Sequence, residues 1–292
     1  MEDKTLFKQD IKEISIALLV YTLLPSLFVF IFSLILFASH YSQEDAVMIS
    51  TVLSMVISAI ITLQHYTKKF KIKIPTQKPS SDFTLPVFLR YLILALGLFW
   101  LTDILFTLFS SMLTFVQFAT PDFTPNGTFI YKLFDISYSI LLAPIFEELI
   151  FRGLMLSKIK KYGKYFSILS VSLIFALFHG NLPQSIPTFF LSMILCAMTL
   201  RSNSIYPAII THIIANSIGI ISMSISQEVF VMILNILIIA VIIAAIVLLL
   251  TKKHEKIKRE SEEPKVREFF NNWASRILLI FCIFNIISMI LI

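Results

Sequence analysis

Apolar runs of about 20 residues recur along the chain and are separated by short polar or basic stretches. A run of this length crosses a bilayer as a helix, because each residue adds about 1.5 Å toward a hydrocarbon core about 30 Å thick. The pattern predicts eight such helices, at residues 14–38, 46–66, 85–116, 129–157, 165–180, 184–200, 205–224 and 228–251. The tail from Phe269 to Ile292 begins polar and becomes apolar, so it is expected either to form a ninth span or to lie in the interface.

The composition agrees with this pattern, since 57% of the residues are hydrophobic and only 14% are charged. We therefore expect an all-α, polytopic integral membrane protein. Three regions are predicted: helices of the N-terminal part in 1–128, a central core in 129–224, and a last helix, charged segment and apolar tail in 225–292. The first run, Ile14 to Ala38, is too long for a cleaved signal peptide and is expected to remain as a helix.

The net charge of +6 does not indicate nucleic-acid binding, because the basic residues are confined to short loops between apolar runs. If the N-terminus is cytoplasmic, Lys132 is the single member of the 24 Lys and Arg residues that falls on the outer side. This asymmetry predicts a cell-membrane protein with a cytoplasmic N-terminus. The Ile-, Lys- and Phe-rich composition is typical of a bacterial chain from an AT-rich genome.

Three charged residues lie close together in the second half of the fourth apolar run, at Glu147, Glu148 and Arg152. Charge at membrane depth is expensive, so such residues usually face a protein interior or a wet cavity and mark function. Glu148 and Arg152 are four apart and are predicted to pair on one helical face. Glu147 is rotated about 100° from Glu148, which leaves its carboxylate free to act.

Further polar residues lie in two later runs, at His179 and at His212 and Asn216. Counting from the nearest basic residue at about 1.5 Å per residue places Glu147 and His212 about 16 Å deep. The same count gives about 22 Å for His179 and Asn216. Three spans thus bring polar groups to one slab of the bilayer, as a shared site requires.

The chemistry of this set is that of peptide cleavage by water. A buried carboxylate is a suitable general base for water, and a neighbouring histidine holds the water or passes the proton on. A second histidine and an asparagine can donate hydrogen bonds to the oxyanion of a tetrahedral intermediate. Alternatively, Glu147, His179 and His212 are a plausible three-ligand Zn²⁺ site, and spacing alone does not choose between the two. The two cysteines, Cys196 and Cys282, form no motif for metal binding or nucleophilic attack.

Three segments together, Glu147-Glu-Leu-Ile-Phe-Arg-Gly153, Phe175-x-x-x-His179 and His212-x-x-x-Asn216, resemble the motifs of the CPBP intramembrane proteases, the CAAX-protease and bacteriocin-processing (Abi) family. The resemblance covers about residues 129–224. It implies an all-helical fold with a cavity open to the membrane and the cytoplasmic side.

By this resemblance, Glu147 and His179 would activate the attacking water, and His212 and Asn216 would stabilise the oxyanion. Glu148, Arg152 and Phe175 would support the site. The family has been described both as metal-dependent and as glutamate-dependent, so zinc stays open. Its members in bacteria are linked to peptide maturation and bacteriocin immunity, and nothing in this sequence points to prenylated substrates.

The sequence therefore predicts an intramembrane endopeptidase that cuts a membrane-associated protein or peptide. Two alternatives belong to other classes: a non-catalytic immunity or scaffold protein, and an ion-coupled transporter with buried Glu, Arg and His along its path. A transporter predicts matching halves with broken helices, and neither internal repeats nor frequent glycine are found, since the chain has 6 Gly. The sequence does not indicate the oligomeric state.

Overall fold

The structure is a computed structural model that describes residues 2–113, 117–118, 128–224, 227–251 and 263–291. Most of the described residues are helical, which confirms the all-α prediction. The described strands are β1 (Gln117–Phe118) and β2 (Ile290–Leu291), which pair antiparallel. Residues 252–262 of the predicted charged segment lie outside the described part of the chain.

The helices follow the predicted order. The N-terminal part contains α1 (Glu2–Ala38), α2 (Gln43–Phe70) and α3 (Leu85–Ser111). Next come α4 (Phe129–Ser137), α5 (Ala143–Glu148) and α6 (Ser157–Ile159), joined by π-helical segments at Tyr138–Leu142 and Leu149–Leu156. Residues 129–159 thus form one continuous element, here called the composite helix. After a 3₁₀ turn (Lys160–Tyr162) follow α7 (Lys164–Phe178), α8 (Leu182–Ser202), α9 (Tyr206–Ser224), α10 (Glu228–Leu250), a 3₁₀ turn (Val266–Phe270) and α11 (Trp273–Ser288).

A helix occupies each of the eight predicted positions. Within the described residues, six helices are long and apolar enough to cross a membrane: α1, α2, α3, α8, α9 and α10. Helices α7 and α11 are apolar but shorter, with 15 and 16 residues. The prediction of a multi-pass membrane protein is confirmed.

Polar residues between the apolar runs begin and end these helices. Ser42 accepts a hydrogen bond from the backbone N–H of Asp45 at the start of α2, and Asn272 does the same for Ser275 at the start of α11. Asn203 ends α8 in the left-handed conformation that asparagine tolerates. The short loops are therefore specified locally by the sequence.

The composite helix lies among α1, α2, α7, α8 and α9, all of which it contacts. One cluster of buried apolar residues joins it to α1, α2, α7 and α11, with Ile14, Leu154 and Phe175 among its members. A second cluster joins α3, α8, α9 and α10. Each cluster contains residues from all three predicted regions of the chain. The division into these regions stays a prediction.

Several of the basic loops meet at one end of the molecule. Asp10 of α1 binds Lys158 at 2.7 Å and accepts a hydrogen bond from Tyr162 at 2.7 Å. The Glu263 carboxylate accepts from the backbone N–H of Phe166 at 3.1 Å, which brings the segment before α11 to the same end. This clustering is the arrangement that the charge pattern requires of loops on one side of a membrane.

Helix α11 runs between the two ends of the molecule. Near its start, Lys12 lies over the ring of Trp273 at 5.6 Å, at the basic end. Beyond its last turn, β2 pairs with β1, which follows α3 at the opposite end. Its 16 residues extend about 24 Å at 1.5 Å per residue. Helix α11 is shorter than the six helices that are long enough to cross a membrane, so both arrangements expected for the tail, a ninth span or an interfacial segment, stay predictions.

Candidate active site

The backbone of the composite helix departs from regular α-helix beside the two glutamates. The N–H of Ala143 bonds to the carbonyl of Tyr138, five residues earlier, as in a π-helix. Pro144 has no N–H, so the carbonyl of Ser139 has neither an α-type nor a π-type partner in the helix. Asn216 of α9 donates its amide N–H to this carbonyl at 2.8 Å. The proline thus leaves the Ser139 carbonyl without a partner in its own helix, and Asn216 of α9 provides one.

Glu148 is held on the packed side of the composite helix. Its carboxylate accepts from Arg152 Nη1 at 2.9 Å, as the spacing predicted, and both side chains are 0% exposed. Arg152 Nη2 also donates to Ser192 Oγ of α8 at 2.7 Å, and the guanidinium lies 4.5 Å from the centre of the Phe175 ring. Breaking such a buried pair leaves an uncompensated charge, so this group positions the helix rather than moving during a reaction.

Glu147 is turned away from this packed group and opens into a cavity of about 150 Å³. Its side chain is 25% exposed. The cavity is lined by Tyr21, Thr22, Met55, Glu147, Phe151, Phe175, Phe178 and His179. One water needs about 10–15 Å³ of such space, so the cavity can hold several waters or part of a substrate beside the carboxylate.

His179 is oriented by its own helix. Its Nδ1 lies 3.0 Å from the carbonyl oxygen of Phe175, and a carbonyl can only accept, so Nδ1 carries the proton. The Nε2 of the neutral ring then has a free lone pair. Since His179 lines the same cavity as Glu147, it can accept a hydrogen bond from a water placed there.

His212 links the packed side to the cavity side. Its Nδ1 lies 2.9 Å from Glu148 Oε1, which also accepts from Arg152, so Nδ1 is the donor. Its Nε2 lies 3.8 Å from Glu147 Oε2. The ring of Phe175 contacts both histidine rings, with centroids 5.0 Å from His179 and 5.8 Å from His212. Six of the seven residues singled out in the sequence thus form one contact network, and Asn216, one turn after His212, contacts the composite helix at Ser139.

The three predicted zinc ligands have side chains of the kind that bind zinc, but they do not converge on one point. His179 and His212 each hold one ring nitrogen by a hydrogen bond and leave the other free, as metal-bound histidines do. Yet among the described residues no group of three His, Cys, Asp or Glu side chains lies close enough to hold a metal ion. Zinc binding stays a prediction.

Sequence reasoning missed the part of the cavity wall that comes from the N-terminal helices. Tyr21 and Thr22 belong to α1, and Met55 belongs to α2. None of these residues stands out in an apolar run, because Tyr, Thr and Met are common in packed helices. The helix-breaking residue Pro25, one turn after Tyr21, was the available signal.

Comparison with known proteins bears on one part of the chain. Residues 129–218 match the family described as Rce1-like, type II CAAX prenyl endopeptidase. No curated protein and no solved structure gives a significant match. The matched residues include the composite helix and all seven predicted site residues, so this segment is that of an intramembrane endopeptidase. Residues 129–218 belong to the CAAX-protease family, as the three motifs had predicted.

Proposed function

We propose that the protein cleaves a membrane-associated protein or peptide with a water activated by Glu147 and His179. The observation that supports this most directly is that both side chains line one cavity, while the adjacent Glu148 is committed to Arg152 and His212. One carboxylate is thus held in place and the other is left beside space for water.

In the proposed reaction, Glu147 takes a proton from the water as its oxygen attacks the scissile carbonyl carbon. A C–O bond forms, and the carbonyl electron pair moves onto oxygen to give the oxyanion. His179 holds the water through its free Nε2. The C–N bond then breaks, and the proton on Glu147 passes to the leaving amine, which restores the carboxylate. The balance requires water alone as co-substrate.

His212 and Asn216 were predicted to bind the oxyanion, and each also makes a contact that positions the site. His212 donates Nδ1–H to Glu148 at 2.9 Å and its Nε2 lies 3.8 Å from Glu147, so its ring borders both carboxylates. Asn216 uses one amide hydrogen on the Ser139 carbonyl and keeps the other for a substrate. Both residues thus position the site.

We also propose that the basic end lies in the cytoplasm of a bacterial cell and that the bilayer is the cell membrane. The support is that contacts of Asp10 with Lys158 and of Glu263 with Phe166 bring three of the basic segments together at one end of the molecule. Maturation of a peptide and immunity to a bacteriocin are the two biological roles that fit such a reaction. The substrate distinguishes them.

The test compares membrane peptides of host cells that carry the wild type, Glu147→Gln or His179→Ala at equal expression. We expect both variants to accumulate the same uncut peptide, with a rate loss of about 10²-fold or more, because general-base catalysis contributes about 10²–10⁴-fold. Mass spectrometry of membrane peptides measures it. Identical profiles together with full complementation of a deletion strain would contradict catalysis and favour an immunity, scaffold or transport role.

A chelator separates the two versions of the mechanism. The synthetic form of the accumulated peptide is incubated in liposomes with purified enzyme, before and after dialysis against 1,10-phenanthroline. Unchanged cleavage supports the glutamate-dependent mechanism. Loss that Zn²⁺ restores shows that the metal predicted for Glu147, His179 and His212 takes part.

A further inference from the structure

The cavity beside Glu147 contains few hydrogen-bond donors that are not already engaged. His179 uses Nδ1–H on the carbonyl of Phe175 at 3.0 Å. Thr22 donates its hydroxyl to the carbonyl of Leu18 at 2.7 Å. Glu147, as a carboxylate, only accepts. His212 and Asn216 do not line the cavity, so the nearest further donor to a tetrahedral oxyanion formed there is another lining residue.

Tyr21 is that remaining lining residue with a hydroxyl. Its side chain is 8% exposed and lines the cavity together with Glu147 and His179. The ring stacks on Phe178 with centroids 6.3 Å apart and planes inclined by 12°, so packing fixes its orientation. Among the described residues, the Tyr21 hydroxyl has no hydrogen-bond partner. A buried phenol without a partner, at the edge of a cavity, is a donor held ready for a ligand.

The surroundings of Tyr21 agree with a role in the reaction. Its phenol lies within electrostatic range of the Glu147 carboxylate. Pro25, one turn later in α1, lacks the N–H that would bond to the Tyr21 carbonyl in a regular helix, so α1 departs from ideal hydrogen bonding at the cavity wall. Tyr21 also lies outside residues 129–218, so the family comparison does not assign it a role.

We infer that Tyr21 is a catalytic residue whose hydroxyl donates a hydrogen bond to the oxyanion of the tetrahedral intermediate. The inference rests on the proposed function and adds a donor from the N-terminal helix to it. No proton leaves the phenol: the hydroxyl donates a hydrogen bond as negative charge develops on the carbonyl oxygen and returns to an empty cavity when the C–N bond has broken.

A second tyrosine provides a matched comparison. Tyr138, in the first π-helical segment, is also within electrostatic range of Glu147. It does not line the cavity that Glu147, His179 and Tyr21 share. The two phenols thus share an electrostatic interaction with the same carboxylate but differ in access to the cavity.

The experiment measures cleavage of a synthetic copy of the peptide that accumulates in the deletion strain, using full-length Tyr21→Phe and Tyr138→Phe enzymes in liposomes. The first change removes the hydroxyl and keeps the ring on Phe178. We expect kcat of Tyr21→Phe to fall about 10²-fold, as for loss of one oxyanion donor, with KM within about 3-fold of the wild type. Tyr138→Phe is expected to keep kcat within about 3-fold, because its hydroxyl does not line the cavity.

Three outcomes overturn the assignment. The first is equal kcat for Tyr21→Phe and wild type; the second is an equal loss in both Phe variants. The third is a fall of several degrees in the melting temperature of Tyr21→Phe, which shows that its hydroxyl has a structural partner. The Glu147→Gln variant separates this result from the proposed function. If Glu147→Gln cleaves the peptide normally, the whole mechanism is wrong. If Glu147→Gln is inactive and Tyr21→Phe is fully active, only the assignment of Tyr21 is wrong.

Discussion

One face of the composite helix carries buried charged side chains that bind one another, and another face carries a carboxylate beside open space. Glu148 is 0% exposed and bound by Arg152 and His212, while Glu147 is 25% exposed and lines a cavity. The two residues are neighbours in sequence and have the same side chain. Their difference shows that environment, rather than residue type, separates a carboxylate that holds the fold from one that can react.

The largest expected effect contrasts the two carboxylates directly. Glu148→Gln leaves the buried Arg152 guanidinium without its counter-charge, so we expect the free energy of unfolding to fall by about 3–5 kcal/mol. Glu147→Gln removes a partly exposed charge and is expected to change it by less than about 0.5 kcal/mol while abolishing cleavage. Unfolding in mixed detergent micelles measures both. Equal stability of the two variants would mean that the packed side does not hold the fold.

A smaller effect tests the third partner of Arg152. Ser192→Ala removes a hydrogen bond to a buried cation, and such bonds contribute about 1.5–3 kcal/mol. The same unfolding experiment measures the loss. Ser170→Ala is the matched control, because Ser170 is also buried and its hydroxyl has no hydrogen-bond partner in the described residues. A loss that is no larger for Ser192→Ala than for Ser170→Ala would contradict the assigned bond.

The smallest effect concerns the turn that carries His179 on the cavity side. Gly180 has φ +68°, where an L side chain is strained, and a Cβ there would lie 3.4 Å from the Cβ of Asn285. We expect Gly180→Ala to lower stability by about 1–2 kcal/mol and to reduce kcat, because the strain falls next to His179. Thermal unfolding and cleavage are measured together. In Gly219→Ala, where a Cβ meets nothing within 4 Å, neither is expected to fall, and an equal loss there would refute the strain argument.

The packed side could be predicted from sequence, and the cavity side only in part. The Glu148–Arg152 pair follows from spacing along one helix, and the helices follow from runs of apolar residues, because both are local properties. The contribution of Tyr21 depends on contact between residues more than 100 positions apart, which periodicity does not encode. The partner of Asn216 was missed for another reason: it is a backbone carbonyl that becomes available only through Pro144 and the π-helical turn.

The position of α11 has a consequence for how the protein is made. This helix follows α1 and α7 along the chain and leaves the ribosome after them, yet it packs against both, and its Asn285 borders Gly180. Helices α1 and α7 therefore enter the bilayer before α11, one of their packing partners, is present. Because α1 and α7 both supply walls of the cavity, we expect proteolytic competence to arise late in biogenesis, after the hydrophobic helices have already entered the membrane.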